Sequence, residues 1–267
     1  MKRIVIFKGG LGNQISQYGM YSFKKNIEHR DVRYFYREAD HNGFELDKYF
    51  NVGLRKASCW YEWLYWVVWR LNKYGICRRF IFFERGKAEQ KCDIFINGYW
   101  TDRRYFLHSG FDISFKDLPL SERNQRIATL MTSGDSVAVH VRRGDYLLPQ
   151  NRAIFNTLGT DYYLPAIDYC RQHLHEPRFF FFSDDIAWVK EHLKVENAEY
   201  IDWNTGNDSV YDMYLMSLAT ANIIANSTFS FWATILNKRK QIAIYPDAWY
   251  SNGAKKRDMF PDDWIMM

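Results

Sequence analysis

Short apolar runs separated by helix-length segments mark most of this chain, and after about residue 121 the alternation becomes regular. Residues 3–7 (RIVIF) read as a buried strand, and the turn KGGLGN hands over to a helix predicted at about 14–26. Further strands are predicted at 32–36 and at 93–98 (DIFING). Residues 41–58 have mixed polarity without a period and carry no prediction. The run CWYEWLYWVVWRL at 59–71 is apolar at too many positions for a one-sided stripe, so it predicts a buried or interfacial helix, with core packing favoured. DISFKDLPLS (112–121), with its proline and turn-forming residues, is the predicted linker. Beyond it, strands at 136–141, 178–182, 199–201, 222–225 and 241–245 are interleaved with helices at 121–132, 161–173, 184–193, 208–220 and 229–237. This order implies a mostly parallel sheet covered on both faces, with ligands gathering at the carboxyl ends of its strands.

Composition adds limits to this pattern. A length of 267 residues favours two domains, and 47% hydrophobic with 25% charged residues is ordinary for a globular protein. The aromatic content is high: 10 Trp, 19 Tyr and 20 Phe provide packing area and flat faces on which sugar rings or bases stack. A net charge of +5 suits an anionic partner, namely a nucleotide, a nucleic acid or an acidic membrane. Cys59, Cys77, Cys92 and Cys170 have no C-x-x-C spacing, which predicts free thiols in a reducing cytoplasmic setting and gives zinc no support. The opening apolar run is too short for a signal peptide, and no run reaches the roughly 18 apolar residues of a membrane span. A soluble or peripheral protein is expected.

Four segments carry candidate chemistry. In HVRRGDYL (140–147) an apolar strand ends by delivering Arg142, Arg143, Gly144 and Asp145. Two guanidiniums there need anions, and arginine's rigid donor fork matches a diphosphate, although a surface ion cluster with nearby carboxylates answers the same need. RFFFF (178–182) runs into Ser183, Asp184 and Asp185. These carboxylates read as a helix cap, as an acceptor for the paired donors of guanine, or as metal ligands. In ANIIANSTFSFW (221–232), Asn226, Ser227, Thr228, Phe229 and Ser230 stand at a helix start, where unpaired N–H groups receive an anion or a hydroxyl simply caps the helix. GGLGNQ (9–14) lacks the third glycine of a dinucleotide fingerprint. Its glycines permit close backbone approach, and Asn13 and Gln14 offer amides to a ligand.

Together the strings GGLGNQISQYG, GYWTDRRYF, HVRRGDY, FFFFSDD with Trp188, LMSLATANIIANSTFSFW and the closing PDDW resemble the bacterial α-1,2-fucosyltransferases of glycosyltransferase family 11, over nearly the whole chain. HVRRGDY is shared with α-1,6- and protein O-fucosyltransferases, whereas IIANSTFSFW narrows the resemblance to the α-1,2 group. The resemblance implies an α/β chain of GT-B architecture, two Rossmann-like lobes facing across a cleft. An acceptor-side lobe would occupy 1–118 and a lobe binding the GDP-sugar 119–267, with the last helix returning to the first lobe as an alternative. It also implies that Arg142 and Arg143 hold the diphosphate, that His140 and one of Asp184 or Asp185 contact guanosine, and that Ser227 to Ser230 complete the phosphate site. The chain departs from the family at Ile15 and Ser16, where a Met-Phe pair is usual, and at Phe231 and Trp232, where Trp-Trp is usual. Those changes bear on acceptor choice before catalysis.

The implied reaction moves L-fucose from GDP-β-L-fucose to the 2-hydroxyl of a terminal galactose in an O-antigen or lactose-type glycan, with inversion. GDP-fucose is a co-substrate, and no metal or other cofactor is expected. Arg142 is the candidate electrostatic catalyst and Asp145 the candidate base. A Mn²⁺ transferase using Asp184 and Asp185 is the rival enzyme. A nicotinamide oxidoreductase is disfavoured by the incomplete glycine pattern. Nucleic-acid binding is disfavoured because the basic residues form no tract. For the aromatic run at 59–71, acceptor binding and peripheral contact with the inner membrane face are the alternatives to packing.

Overall fold

A computed structural model describes residues 2–37, 42–75, 80–84, 94–107 and 110–267 of the chain. The chain forms two compact units, Met1–Lys116 and Asp117–Met267. Of the four cysteines, Cys59 is an exposed free thiol and Cys170 a buried one; Cys77 and Cys92 lie outside the described residues.

The first unit runs β1 (Arg3–Phe7), α1 (Leu11–Asn26), β2 (Val32–Tyr36), α2 (Leu46–Tyr49), β3 (Phe50–Asn51), α3 (Cys59–Asn72), β4 (Ile81–Phe83), β5 (Phe95–Asn97) and β6 (Ser114–Phe115). Strands β2, β1, β5 and β4 form a parallel sheet in that order, and β3 pairs antiparallel with β6. Every residue of β1 is buried, as a central parallel strand requires. Ile4, Ile6, Phe35 and Phe95 pack against Tyr65 and Val68 of α3.

The helix predicted from the aromatic run forms, but the expectation of core packing is corrected for three of its tryptophans. At 3.6 residues per turn, Leu64, Tyr65 and Val68 share the face turned to the sheet. Trp60, Trp63 and Trp66 fall on the other side and are 58%, 55% and 44% exposed.

The second unit runs α4 (Glu122–Thr132), β7 (Ser136–Val141), a 3-10 turn (Asp145–Leu147), α5 (Pro149–Arg152), α6 (Thr160–His173), β8 (Arg178–Ser183), α7 (Ile186–His192), β9 (Ala198–Ile201), α8 (Ser209–Met216), β10 (Ala221–Ile223), α9 (Thr228–Leu236), β11 (Ile242–Tyr245) and β12 (Ile265–Met266). Its six strands are all parallel, in the order β12-β11-β10-β7-β8-β9. Val137, Val139, Phe179, Phe181 and Ile223 pack on one face with Tyr163 and Ile167 of α6 and Val189 of α7. No closing helix follows β11: the chain passes a 3-10 turn at Arg257–Met259 and ends as β12, paired with β11. Phe260 and Trp264 of this final stretch pack on Phe231 of α9, so the ring cluster anchors the terminus to its own unit.

From β7 the chain moves to one side, to β8 and β9, then crosses back to place β10 on the other side of β7. The order of connection reverses between β7 and β10. In such sheets the crevice at the carboxyl ends of those two strands is where a ligand finds the loops splayed apart.

Candidate functional site

The residues after β7 and β10 flank this crevice. His140 is the penultimate residue of β7, its side chain is buried, and its ring centre stands 5.9 Å from that of Phe229 at the start of α9. Among the described residues the Nδ1 atom of His140 has no hydrogen-bond partner. Burial, with the neighbouring Arg142 charge adding to it, lowers the imidazole to about 4. At neutral pH the ring is therefore uncharged. Tyr163 of α6 fixes the strand end by donating its hydroxyl hydrogen to the His140 carbonyl at 3.2 Å.

Both arginines are in place, and both are held by carboxylates. Arg142 reaches Asp145 from Nη2 at 2.8 Å and Asp184 from Nη1 at 3.0 Å. Burial opposes its charge, yet Asp184 and Asp145 outweigh that cost and raise its pKa. The Arg143 backbone N–H donates to Asp184 Oδ1 at 2.8 Å, and its Nε to Asp185 Oδ2 at 3.3 Å. The Arg143 guanidinium also lies 4.0 Å from the ring centre of Trp188, one turn into α7. A stacked, paired guanidinium has little rotamer freedom left to lose when an anion arrives.

Asp185 is the N-cap of α7, accepting from the Trp188 N–H at 3.2 Å. Capping and the arginine pair engage one carboxylate oxygen each, and Asp184 likewise gives one oxygen to each of Arg142 and Arg143. In this arrangement both carboxylates are turned to the two arginines, Asp184 through the Arg143 backbone N–H as well as the Arg142 guanidinium. Among the described residues no three His, Cys, Asp or Glu side chains are grouped so as to hold a metal ion.

Gly144 is required by this packing. A Cβ placed on it would lie 2.9 Å from Asp184 Oδ2 and 3.0 Å from its Cγ, so any other residue would push away the carboxylate that bridges both arginines.

On the β10 side, Ser227 caps α9, its Oγ accepting from the Phe229 N–H at 3.3 Å, and the Ser230 hydroxyl turns back to the Ser227 carbonyl at 3.4 Å. Thr228 opens the helix between them. Asn226 is fully buried, and its amide donates to the carbonyls of Asn156 and Trp249, each at 2.8 Å. Its Oδ1 has no partner among the described residues. The Asn226 carbonyl accepts from the Tyr146 hydroxyl at 3.0 Å, so a residue of the RRGDY segment ties the β7 loop directly to the β10 loop.

Asn13 and Gln14 belong to the first unit. Gln14 does not offer its amide to a ligand: it is completely buried, its Nε2 donates to the carbonyls of Gly9 and Gly43, and its Oε1 accepts from the N–H groups of Glu45 and Leu46. It clamps two loops. Gly9, with φ of 74°, makes the turn that puts Asn13 half-buried against it.

Tyr146 and Trp188 are the participants that reasoning from charge and spacing did not assign. Tyr146 gave one usable signal, an aromatic placed directly after RRGD. Trp188 gave another, lying one helical turn from the paired aspartates.

The doubly wound sheet, with paired arginines at its switch point, places the chain among the open α/β proteins whose ligands sit at the carboxyl ends of the strands. The match to a solved structure narrows the fold to the GT-B class: the chain superposes on an α-1,6-fucosyltransferase, NodZ, crystallised and soaked with GDP-fucose, with a TM-score of 0.52, 14% identity, and coverage of 88% of this chain and 93% of that one. Residues 5–267 match the family model described as Glycosyl transferase family 11, and the chain belongs to that family. It is 29% identical to an α-1,2-colitosyltransferase of Escherichia coli, over 96% of both chains, and 27% identical to the O-antigen biosynthesis glycosyltransferase WbnK of the same species, over 96% of this chain and 97% of the relative. The protein is a glycosyltransferase.

Proposed function

We propose that the protein transfers L-fucose from GDP-β-L-fucose to the 2-hydroxyl of a galactose-terminated glycan, with inversion and without a metal. The observation that supports this best is the pair Arg142 and Arg143 at the switch point of the second sheet, beside the start of α9. In the reaction the acceptor oxygen forms a bond to the anomeric carbon as the bond from that carbon to the β-phosphate oxygen breaks. The hydroxyl proton leaves to a base or to the departing diphosphate, and GDP takes the electron pair. Fixed guanidiniums aimed at the oxygen that gains charge lower the barrier without reorganising.

In the arrangement described, three carboxylates face the two arginines, and a diphosphate that takes the Arg142 Nη2 position displaces one of them. Asp145 is the most exposed of the three, at 39% of its side chain against 26% and 27% for Asp184 and Asp185. A phosphate oxygen replacing it on Arg142 Nη2 would leave Asp184 and Asp185 holding the clamp. Its pairing fits a residue that positions Arg142 better than one that removes a proton, and Asp145→Asn with near-normal turnover would take it out of consideration as the base. The unpartnered Nδ1 of His140 and Oδ1 of Asn226 are the buried polar atoms that a nucleotide would satisfy.

The colitosyl relative keeps a second donor in view, since colitose is the 3-deoxy analogue of L-fucose. The test is to incubate the purified protein with GDP-fucose, GDP-colitose, GDP-mannose and UDP-galactose, each with lactose, and to measure released nucleotide and the linkage of the product. GDP release from GDP-fucose with a 2-linked α-fucoside is the expected result, unchanged by excess EDTA. Turnover with the colitosyl donor alone would replace the donor assignment. Loss in EDTA that Mn²⁺ restores would replace the arginine mechanism.

A further inference from the structure

The exposed face of α3 is unlike the rest of the surface. Trp60 and Trp63 stack with ring centres 4.8 Å apart, Trp66 follows one turn on, and Tyr74, just past the helix, is 77% exposed. Arg70 and Lys73 are exposed on the same side. Arg37 from the end of β2 lies 5.0 Å over Trp66, and Lys73 lies 4.4 Å over Trp69. Glu62 is the one acidic residue between 59 and 75. The unit that carries this helix has 21 Lys and Arg against 12 Asp and Glu in residues 1–116, whereas residues 117–267 have 15 against 19. The surplus positive charge of the chain therefore resides in the unit with the tryptophans.

We propose that this face of α3 docks on an anionic lipid surface, lying in the plane of the headgroups. Three independent features point to lipid. Indole rings partition to the boundary between headgroup and acyl chain, where an apolar body and an N–H donor are both satisfied. The opposite face of the helix is already committed to the sheet, so the amphipathic arrangement is complete: Tyr65 and Val68 inward, tryptophans outward. The basic side chains at the end of the stripe and around it complement acidic headgroups, each contributing to attachment while the indoles anchor it. No helix of the described residues is long and apolar enough to cross a bilayer, so this contact is peripheral.

The full chain is tested by flotation with vesicles of phosphatidylglycerol and phosphatidylethanolamine, and with vesicles of phosphatidylcholine alone. The protein is expected to float with the anionic vesicles at low salt, to be released at high salt, and to stay unbound with the neutral ones. Trp60→Ser with Trp63→Ser should lower the partition coefficient by roughly tenfold or more. Arg70→Gln with Lys73→Gln, which leaves the exposed tryptophans in place and removes two positive charges, should lower it by roughly fivefold per charge. Both variants carry exposed substitutions and should unfold thermally at the wild-type temperature. Failure to float with anionic vesicles overturns the proposal, and so does flotation that neither variant weakens. A concentration-dependent dimer abolished by the tryptophan substitutions would assign the face to a second copy instead.

Discussion

Arg142 is the residue on which most of the site converges, through ion pairs to Asp145 and Asp184 and a place beside His140. Arg142→Ala is expected to lower turnover by about 10²–10³ with the fold intact, as loss of one electrostatic donor does. Arg142→Lys should recover little, because a point charge cannot hold the Asp184 carboxylate and a phosphate side by side in one plane. Steady-state rates with circular dichroism check both. Gly144→Ala tests the neighbour. With Asp184 Oδ2 2.9 Å from the added methyl, the carboxylate must shift, and a loss of about 1–3 kcal/mol of stability is expected in denaturant titration together with weaker donor binding. That RRGD would need anionic partners was legible from the sequence, since two adjacent arginines there end an apolar strand. That the anions already present are Asp145, Asp184 and Asp185 was not, because Asp184 and Arg142 are far apart in the chain and meet only through the β7–β8 pairing.

Among the elements, α4 and α8 are linked by a polar chain. Trp203 donates to Asn124, Asn124 and Asn204 exchange amide hydrogen bonds, and Asn204 donates to Asp212 at 2.7 Å. Burial raises the Asp212 carboxyl to about 8, against the lowering effect of the Asn204 bond. In the unfolded chain the same group ionises near its ordinary value of 3.8. Its neutral form is therefore favoured by folding, and the stability it contributes is fully present below about pH 4 and lost as pH rises through about 8. Thermal melts between pH 5 and 8 should show this decline, and Asp212→Asn should flatten it. Elements of this length with strong apolar runs, β7, β8 and α6 among them, were legible in advance. The two- and three-residue strands β3, β4, β6 and β12 were not, because so short an extended segment has no period of its own and exists by virtue of its partner. The predicted helix at 208–220 ends early, at Met216, where Ser217 turns back to the Tyr214 carbonyl and Asn222 takes the Met216 carbonyl.

At the scale of the molecule, the two units differ in charge. The basic unit bears the tryptophan face, and the acidic one bears the arginine pair. If the second unit binds the donor, GDP at a hundredfold excess over its Kd should stabilise it by about 2.7 kcal/mol. This corresponds to a rise in melting temperature of roughly 5–10 °C. The rise should vanish when Arg142 and Arg143 are both replaced by Ala, and a persisting shift would place the nucleotide elsewhere. Differential scanning calorimetry with and without GDP is the measurement.

From the sequence alone came the α/β class and the arginine-bearing strand end, because apolar rhythm and unusual charge are properties of neighbouring residues, and the family, through the strings the chain shares with it. Tertiary structure decided the rest. It closed Gln14 into a clamp, turned Asp184 and Asp185 toward the arginines, brought Trp188 under Arg143 and left Trp60, Trp63 and Trp66 in solvent. Each of these outcomes depends on which groups from distant segments compete for the same donor or the same apolar surface, and that competition is resolved only once the strands have paired.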